Sequence, residues 1–372
     1  MRINDIRQRL AAAGAKPLHV QRVLRLWAMA LPQQSGKRKP EHFLPAAVRG
    51  ALPALMNQLQ TLATLHCEYP GDDGSSRLLV RGLHGDLLES VLLPRAGLCV
   101  STQIGCAVGC VFCMTGRSGL LRQLGSAEIV AQVVLARSLR PVRKVVFMGM
   151  GEPAHNLDNV IEAVELLGTA GGIGHKNLVF STVGDSRAFE WLLGLTKNQV
   201  RPALALSLHT TDPALRARLL PRAPRLAIAA MVEMAERYAR ASGYPTQYQW
   251  TLIDGVNDGA GEIDGIVERL AGKHAILNLI PYNSVPVLPW RRPDWARCEN
   301  MAQQLRSRGI LTTLRQSAGQ AIDAGCGQLR ARAVDGLPAA QAGLVAQVVR
   351  LHPPQANALV RQRSPFKRSR NC

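Results

Sequence analysis

The chain has 372 residues, with 45 Lys and Arg against 26 Asp and Glu, a net charge of +19 and 47% hydrophobic residues. No apolar run approaches the roughly 18 residues of a membrane span. The mixed-charge start Met1-Arg-Ile-Asn-Asp-Ile-Arg does not lead into a signal segment, so a soluble, cytoplasmic protein is expected. The positive excess points to a polyanionic partner, nucleic acid first, against the alternative of a generally basic, Arg-rich composition.

Residues 1–66 read as a helical accessory domain. Leu18, Val20, Val23, Leu24 and Trp27 recur at helical spacing, with Arg22 and Arg25 between them. A polar, basic loop follows at Pro32-Gln-Gln-Ser-Gly-Lys-Arg-Lys-Pro40, then a second helical stretch. From 67 to 94 the pattern changes to a β-hairpin linker, with strands at Arg77–Arg81 and Leu87–Leu93. Residues 95–334 alternate strand and helix. Candidate strands are Leu98–Ser101, Lys144–Gly149, Asn177–Ser181, Ala203–Leu208, Tyr248–Ile253, Ala275–Ile280 and Ile310–Arg315. Helical patterns between them include Ser126–Arg137, Asn159–Leu167 and Ala227–Ala241. This alternation predicts an α/β fold built on a partial (βα)6 barrel, with chemistry at the C-terminal strand ends. Residues 335–372 read as a flexible basic tail that could touch phosphates or simply be solvated.

Three of the eight cysteines fall in Cys106-Ala-Val-Gly-Cys110-Val-Phe-Cys113. Reduced thiols acting as ligands or nucleophiles fit a cytosolic chain better than disulfides do. Three thiolates on one short loop can hold three irons of a cubane cluster and leave a fourth iron open to a small molecule. Gly105 and Gly109 allow the backbone to fold tightly around such a core. The rival is zinc, which needs a fourth ligand such as Cys99 or His155.

A C-x₃-C-x₂-C loop after the first strand of a βα barrel resembles the radical S-adenosylmethionine superfamily. The resemblance narrows with Leu98-Cys-Val-Ser-Thr-Gln-Ile-Gly-Cys106, Phe147-Met-Gly-Met-Gly-Glu-Pro153, Ser207-Leu-His209, Gly255-Val-Asn-Asp258, Asn278-Leu-Ile-Pro281 and Asp323-Ala-Gly-Cys-Gly-Gln-Leu329 in order. This series resembles the RlmN/Cfr family of RNA methyltransferases, which methylate an adenine ring carbon. It extends from about residue 14 to about 330, resting at the start on Gly14-Ala-Lys-Pro17, Arg22-Val-Leu-Arg25 and Trp27.

The resemblance implies that Cys106, Cys110 and Cys113 bind a [4Fe–4S] cluster, whose open iron chelates S-adenosylmethionine. Gly151 and Glu152 would receive the methionine ammonium, and Ser181, Ser207, Leu208, His209 and Asn283 match further cofactor contacts. Cys326, between Gly325 and Gly327, would be methylated by one S-adenosylmethionine. A second cofactor molecule, cleaved reductively, would supply the radical that takes hydrogen from this S-methyl group. Cys99 would release the product through a transient disulfide with Cys326. Glu89 matches the general base; a strand-edge carboxylate facing water is its other reading. The implied partners are RNA (ribosomal RNA first, transfer RNA second) and a reductant such as flavodoxin; a monomer is expected.

Met114 after the third cysteine, the long interval from Ser181 to Ser207, Pro221-Arg-Ala223 without Asn, and Gly325 in place of Ala depart from the family pattern. They bear on the RNA target and on whether carbon 2 or carbon 8 of adenine is modified. Two alternative functions stand beside this one: a radical enzyme acting on a protein or peptide, and a non-catalytic, metal-stabilised RNA-binding protein.

Overall fold

The computed structural model describes residues 1–285 and 287–331; the expected tail lies outside them. Four helices lead: α1 (Ile3–Ala12), α2 (Pro17–Ala28), α3 (Pro40–Phe43) and α4 (Ala46–Gln60). Three antiparallel strands follow: β1 (Ala63–Pro70), β2 (Ser76–Gly82) and β3 (Leu87–Leu93). The barrel comprises β4 (Gly97–Cys99), α5 (Ser126–Leu139), β7 (Lys144–Phe147), α6 (Leu157–Thr169), β8 (Leu178–Thr182), α7 (Ser186–Gly194), β9 (Ala203–Ser207), α8 (Pro213–Leu219), α9 (Ile228–Ser242), β10 (Thr246–Leu252), α10 (Ala260–Leu270), β11 (Ala275–Pro281), α11 (Trp295–Ser307) and β12 (Thr312–Leu314). A two-stranded ribbon, β5 (Gln103–Gly105) with β6 (Leu120–Gln123), brackets the three-cysteine loop.

The main sheet has the order β1-β2-β3-β4-β7-β8-β9-β10-β11-β12 and stays open, with β1 and β12 at its edges. From β4 onward every neighbouring pair is parallel, giving six βα units and one closing strand. The strands expected as a linker are the antiparallel edge of this same sheet: β3 pairs Val91 with Cys99 on β4. Strands such as β8 are buried along their whole length, as parallel strands covered by helices must be. Asp185, Asp212 and Asp294 accept backbone N–H groups at the starts of α7, α8 and α11, which fixes where each loop ends.

The leading helices share the barrel's core, through Ile3, Ile6, Leu10, Val23, Leu24 and Trp27. Arg2 pairs with Glu162 of α6, and the N-terminal amine with Glu128 of α5. One residue of the expected apolar stripe differs: Leu18 is 67% exposed, because it lies on the rim of a surface recess and not under it. No helix among the described residues is long and apolar enough to cross a membrane.

Candidate active site

The cysteine loop leaves β5 at Gly105, whose φ of +73° and close approach to the Gly119 carbonyl leave no room for a side chain. Cys106 N donates to the Gly119 carbonyl (2.9 Å) and Cys113 N to the Cys110 carbonyl (3.0 Å), which draws the three thiols to one side of a tight loop. All three are free thiols. Burial pushes the Cys106 thiol up to about 11, and burial followed by repulsion from Cys113 and Cys106 holds the Cys110 thiol well above its ordinary value. Such a set is stable as thiols but becomes thiolate when a cation arrives. Three soft thiol donors on one short loop, with no fourth protein donor beside them in the motif, are the donor set that suits an iron–sulfur cluster with one open iron.

Glu152 stands beyond the end of β7, reached through Gly151 (φ +102°), where a Cβ would come 2.6 Å from the Gln103 side chain. Its carboxylate is buried, accepting from Val183 N (3.0 Å) and Ala154 N (3.1 Å). Its own N–H donates to Gln103 Oε1 (2.8 Å). Burial raises its pKa to about 7, against the opposing hydrogen bond from Thr182. A buried carboxylate with no ion-pair partner among the described residues is stabilised by an incoming cation, and an ammonium group meets that need.

Ser181 lies near the end of β8 and Ser207 ends β9. Leu208 is fully buried. His209 adopts φ +64°, a strained value for a non-glycine residue. Thr251 N donates to its Nδ1 (3.0 Å), which puts the ring proton on Nε2, and its ring meets Phe112 edge-on at 4.9 Å. Burial, then Arg216, pull its pKa down to about 3, so the imidazole is neutral.

Asn283 follows β11. Its amide nitrogen donates to Ser317 Oγ and to the Cys326 carbonyl, both at 2.9 Å, while its oxygen accepts from Arg292 (3.1 Å). It thus anchors the loop that bears Cys326. That loop is fixed at further points: Met114 N to the Gly327 carbonyl (2.8 Å), Thr115 Oγ1 to the Leu329 carbonyl (2.7 Å), and Arg330 to Asp323 (2.8 Å). The flanking glycines therefore belong to a loop anchored on both sides, with Cys326 exposed. Desolvation by the surrounding chain raises the pKa of its thiol; Ser317 and Arg315 act in the other direction.

Cys99 closes β4 and is buried. Desolvation first and Cys326 second push its thiol far up. Glu89 corrects one of its two sequence readings. It does not face water: it is 0% exposed, paired with Arg77, and accepts from Arg330 N at 2.7 Å. Burial raises its pKa against the pull of Arg77. Arg77, Ser317, Arg315 and Arg216 lie outside the quoted motifs, and Gln103 lies inside one without a role of its own there; for Arg77 the available signal was a charge at the edge of the apolar run of β2.

A barrel of six βα units with three cysteines at the mouth and a carboxylate beyond the second parallel strand defines a radical S-adenosylmethionine protein, and residues 100–268 match the model of the Radical SAM superfamily. A probable RNA methyltransferase of Leptothrix cholodnii is 66% identical over 332 residues, which cover 89% of this chain and 95% of that protein. Another, from Methylibium petroleiphilum, is 67% identical over 90% of this chain and 94% of its own. The crystal structure of a radical SAM methyltransferase from Sphaerobacter thermophilus superimposes with a TM-score of 0.77 at 35% identity, over 89% of this chain and 98% of that one. The chain belongs to the RlmN/Cfr-like family of radical S-adenosylmethionine RNA methyltransferases. A [4Fe–4S] cluster and S-adenosylmethionine are the cofactors of this class.

Proposed function

We propose that this enzyme methylates an adenine ring carbon of RNA, ribosomal RNA first, and that Cys326 carries the methyl group while Cys99 releases it. The observation that carries the reading is that the Cys326 loop is hydrogen-bonded to the end of the cysteine loop, Met114 N to the Gly327 carbonyl and Thr115 Oγ1 to the Leu329 carbonyl, with Cys99 at the end of the first barrel strand. Hydrogen abstraction alone, as in a peptide-modifying radical enzyme, needs neither of the two extra thiols.

Held by Cys106, Cys110 and Cys113, a [4Fe–4S] cluster would supply the electron that cleaves S-adenosylmethionine. Glu152 holds the cofactor's ammonium, and Ser181, Ser207, Leu208 and His209 line the adjoining strand ends. The Cys326 thiolate attacks the methyl of one S-adenosylmethionine; the new S–C bond forms as the sulfonium S–C bond breaks. That methyl gives one hydrogen atom to the carbon radical that a second, reductively cleaved S-adenosylmethionine would supply, and its own carbon, now the radical, bonds to the ring. Loss of the ring proton to Glu89, and of one electron to a one-electron acceptor such as the oxidised cluster, would leave a thioether. The Cys99 thiolate attacks the Cys326 sulfur, so that an S–S bond forms and the S–C bond breaks; the freed carbon takes a proton and becomes the methyl group. Two electrons from a thiol or a flavodoxin-like donor reopen the disulfide.

The helical region supports an RNA partner. A recess of about 430 Å³ is lined by Arg22, Arg25, Lys37 and Arg38 beside Phe43, with Arg22 5.5 Å and Arg38 6.0 Å from the ring centroid. Cations around an aromatic ring suit phosphates and an unstacked base.

The test is nucleoside mass spectrometry of RNA from cells with the protein, without it, and with Cys326→Ala. A methyladenosine carrying the methyl on carbon 2 or 8, present only with the wild type, is expected. Identical nucleosides in all three would overturn the reading.

A further inference from the structure

The short helix α8 and the turn after it grip the cysteine loop. Val111 N donates to the Leu219 carbonyl (3.0 Å), and Arg222 N to the Val108 carbonyl (3.2 Å). Leu215, Leu219 and Leu220 share an apolar cluster with Cys106, Val108 and Phe112. The Arg222 guanidinium lies on Gly109, where a Cβ would collide with its Nη2. Arg222 occupies part of the Pro221-Arg-Ala223 segment in which the chain departs from its family's pattern.

The same docking carries Arg216 behind the loop. Arg216 is 6% exposed, and its Nη2 donates to the carbonyls of Val183 and Ser207, just past β8 and at the end of β9. Its Nε is buried with no hydrogen-bond partner, and none of the ion pairs among the described residues includes it. Burying a guanidinium without a counter-ion is costly, so a fold that does so reserves the place for an anion. The acidic groups that favour its charge are Cys110 first and Glu152 second, against the larger effect of burial.

We propose that Arg216 is the built-in counter-charge of the iron–sulfur cluster, a positioning residue that favours the reduced state, with Arg222 as a weaker, solvent-screened second cation. This rests on the reading of Cys106, Cys110 and Cys113 as cluster ligands. A cluster core bound by three thiolates is a net anion and becomes more negative on reduction, so a fixed neighbouring cation raises its midpoint potential. Arg216 is buried and acts with little screening; Arg222 is exposed and acts weakly.

The test is an EPR-monitored redox titration of the full-length, anaerobically reconstituted protein, with iron content measured on each sample. Arg216→Met is expected to retain the wild-type iron content and to have a more negative midpoint, with Arg216→Lys closer to wild type and Arg222→Ala shifted less. Arg216→Gln, which can still donate to the Val183 and Ser207 carbonyls, serves if the Met variant does not fold. An unchanged midpoint in the charge-removing variant overturns the proposal. So does an unchanged midpoint with weakened S-adenosylmethionine binding, which would assign the guanidinium to the cofactor's carboxylate. A wild type that takes up no iron would remove the cluster reading itself, and the iron assay separates that result from the others.

Discussion

The side chain of Asn283 holds the backbone of Cys326: its amide donates to the Cys326 carbonyl at 2.9 Å and to Ser317 at the same distance. A residue expected at the cofactor is committed instead to the loop that bears Cys326, the proposed nucleophile.

Asn283→Ala removes three hydrogen bonds from a buried residue, two of them to the Cys326 loop and Ser317 and one from Arg292, each worth about 1 kcal/mol net. The expected result is a kcat about ten-fold lower or more, with KM for S-adenosylmethionine within about two-fold of wild type. Steady-state kinetics separates the roles. A raised KM with unchanged kcat would assign Asn283 to the cofactor and not to the loop.

Glu89 and Arg77 form a buried pair, with the Arg77 guanidinium also 4.2 Å from the Tyr69 ring centroid. Glu89→Gln removes the carboxylate from the pair and is expected to destabilise the fold by about 3 kcal/mol. Thermal unfolding of the apoprotein measures this without reference to catalysis. A melting temperature equal to that of the wild type would mean that Glu89 is not buried with Arg77 in solution.

His209 is held neutral, its pKa pulled down from 6.5 to about 3. Well above pH 6.5 neither the folded nor the unfolded form carries this proton, so the group has no pH effect. As pH falls through 6.5 the unfolded chain takes up a proton that the folded chain refuses. Stability then drops, by at most about 1.4 kcal/mol per pH unit. Denaturant unfolding between about pH 7 and 5 is expected to show this slope, and His209→Asn to flatten it. Equal slopes in the two proteins would contradict a buried neutral His209.

If the recess beside Phe43 holds RNA phosphates, Arg25→Gln, Lys37→Gln and Arg38→Gln combined should weaken RNA binding. They should also lower the slope of log affinity against log salt by about 0.7 for each phosphate no longer neutralised. Filter binding at several salt concentrations checks this. Weaker binding with an unchanged slope would place these cations away from the phosphates.

The parallel strands were legible because each is a short apolar run bounded by turn residues, and they agree with their expected ranges to within a few residues at each end; the antiparallel β3 matches its range end to end. The ribbon β5–β6 was not legible, since its strands are three and four residues long and one of them runs directly into the cysteine motif. The motif residues were readable from type and spacing. Their supporting partners were not: Arg216, Ser317 and Arg77 are ordinary residues in sequence, and only packing gives them a charge to balance or a loop to hold. Glu89 shows the limit most clearly. A carboxylate in an otherwise apolar strand looks solvated until β2 and the Arg330 backbone close over it.

The central claim is that Cys99 releases a carbon carried on Cys326. The most direct measurement is mass spectrometry of nuclease-trimmed Cys99→Ala protein, purified from cells that make the target RNA. The account predicts a nucleotide joined covalently to Cys326 through one carbon. Unmodified Cys326, with methylated RNA released at the wild-type rate, would contradict it.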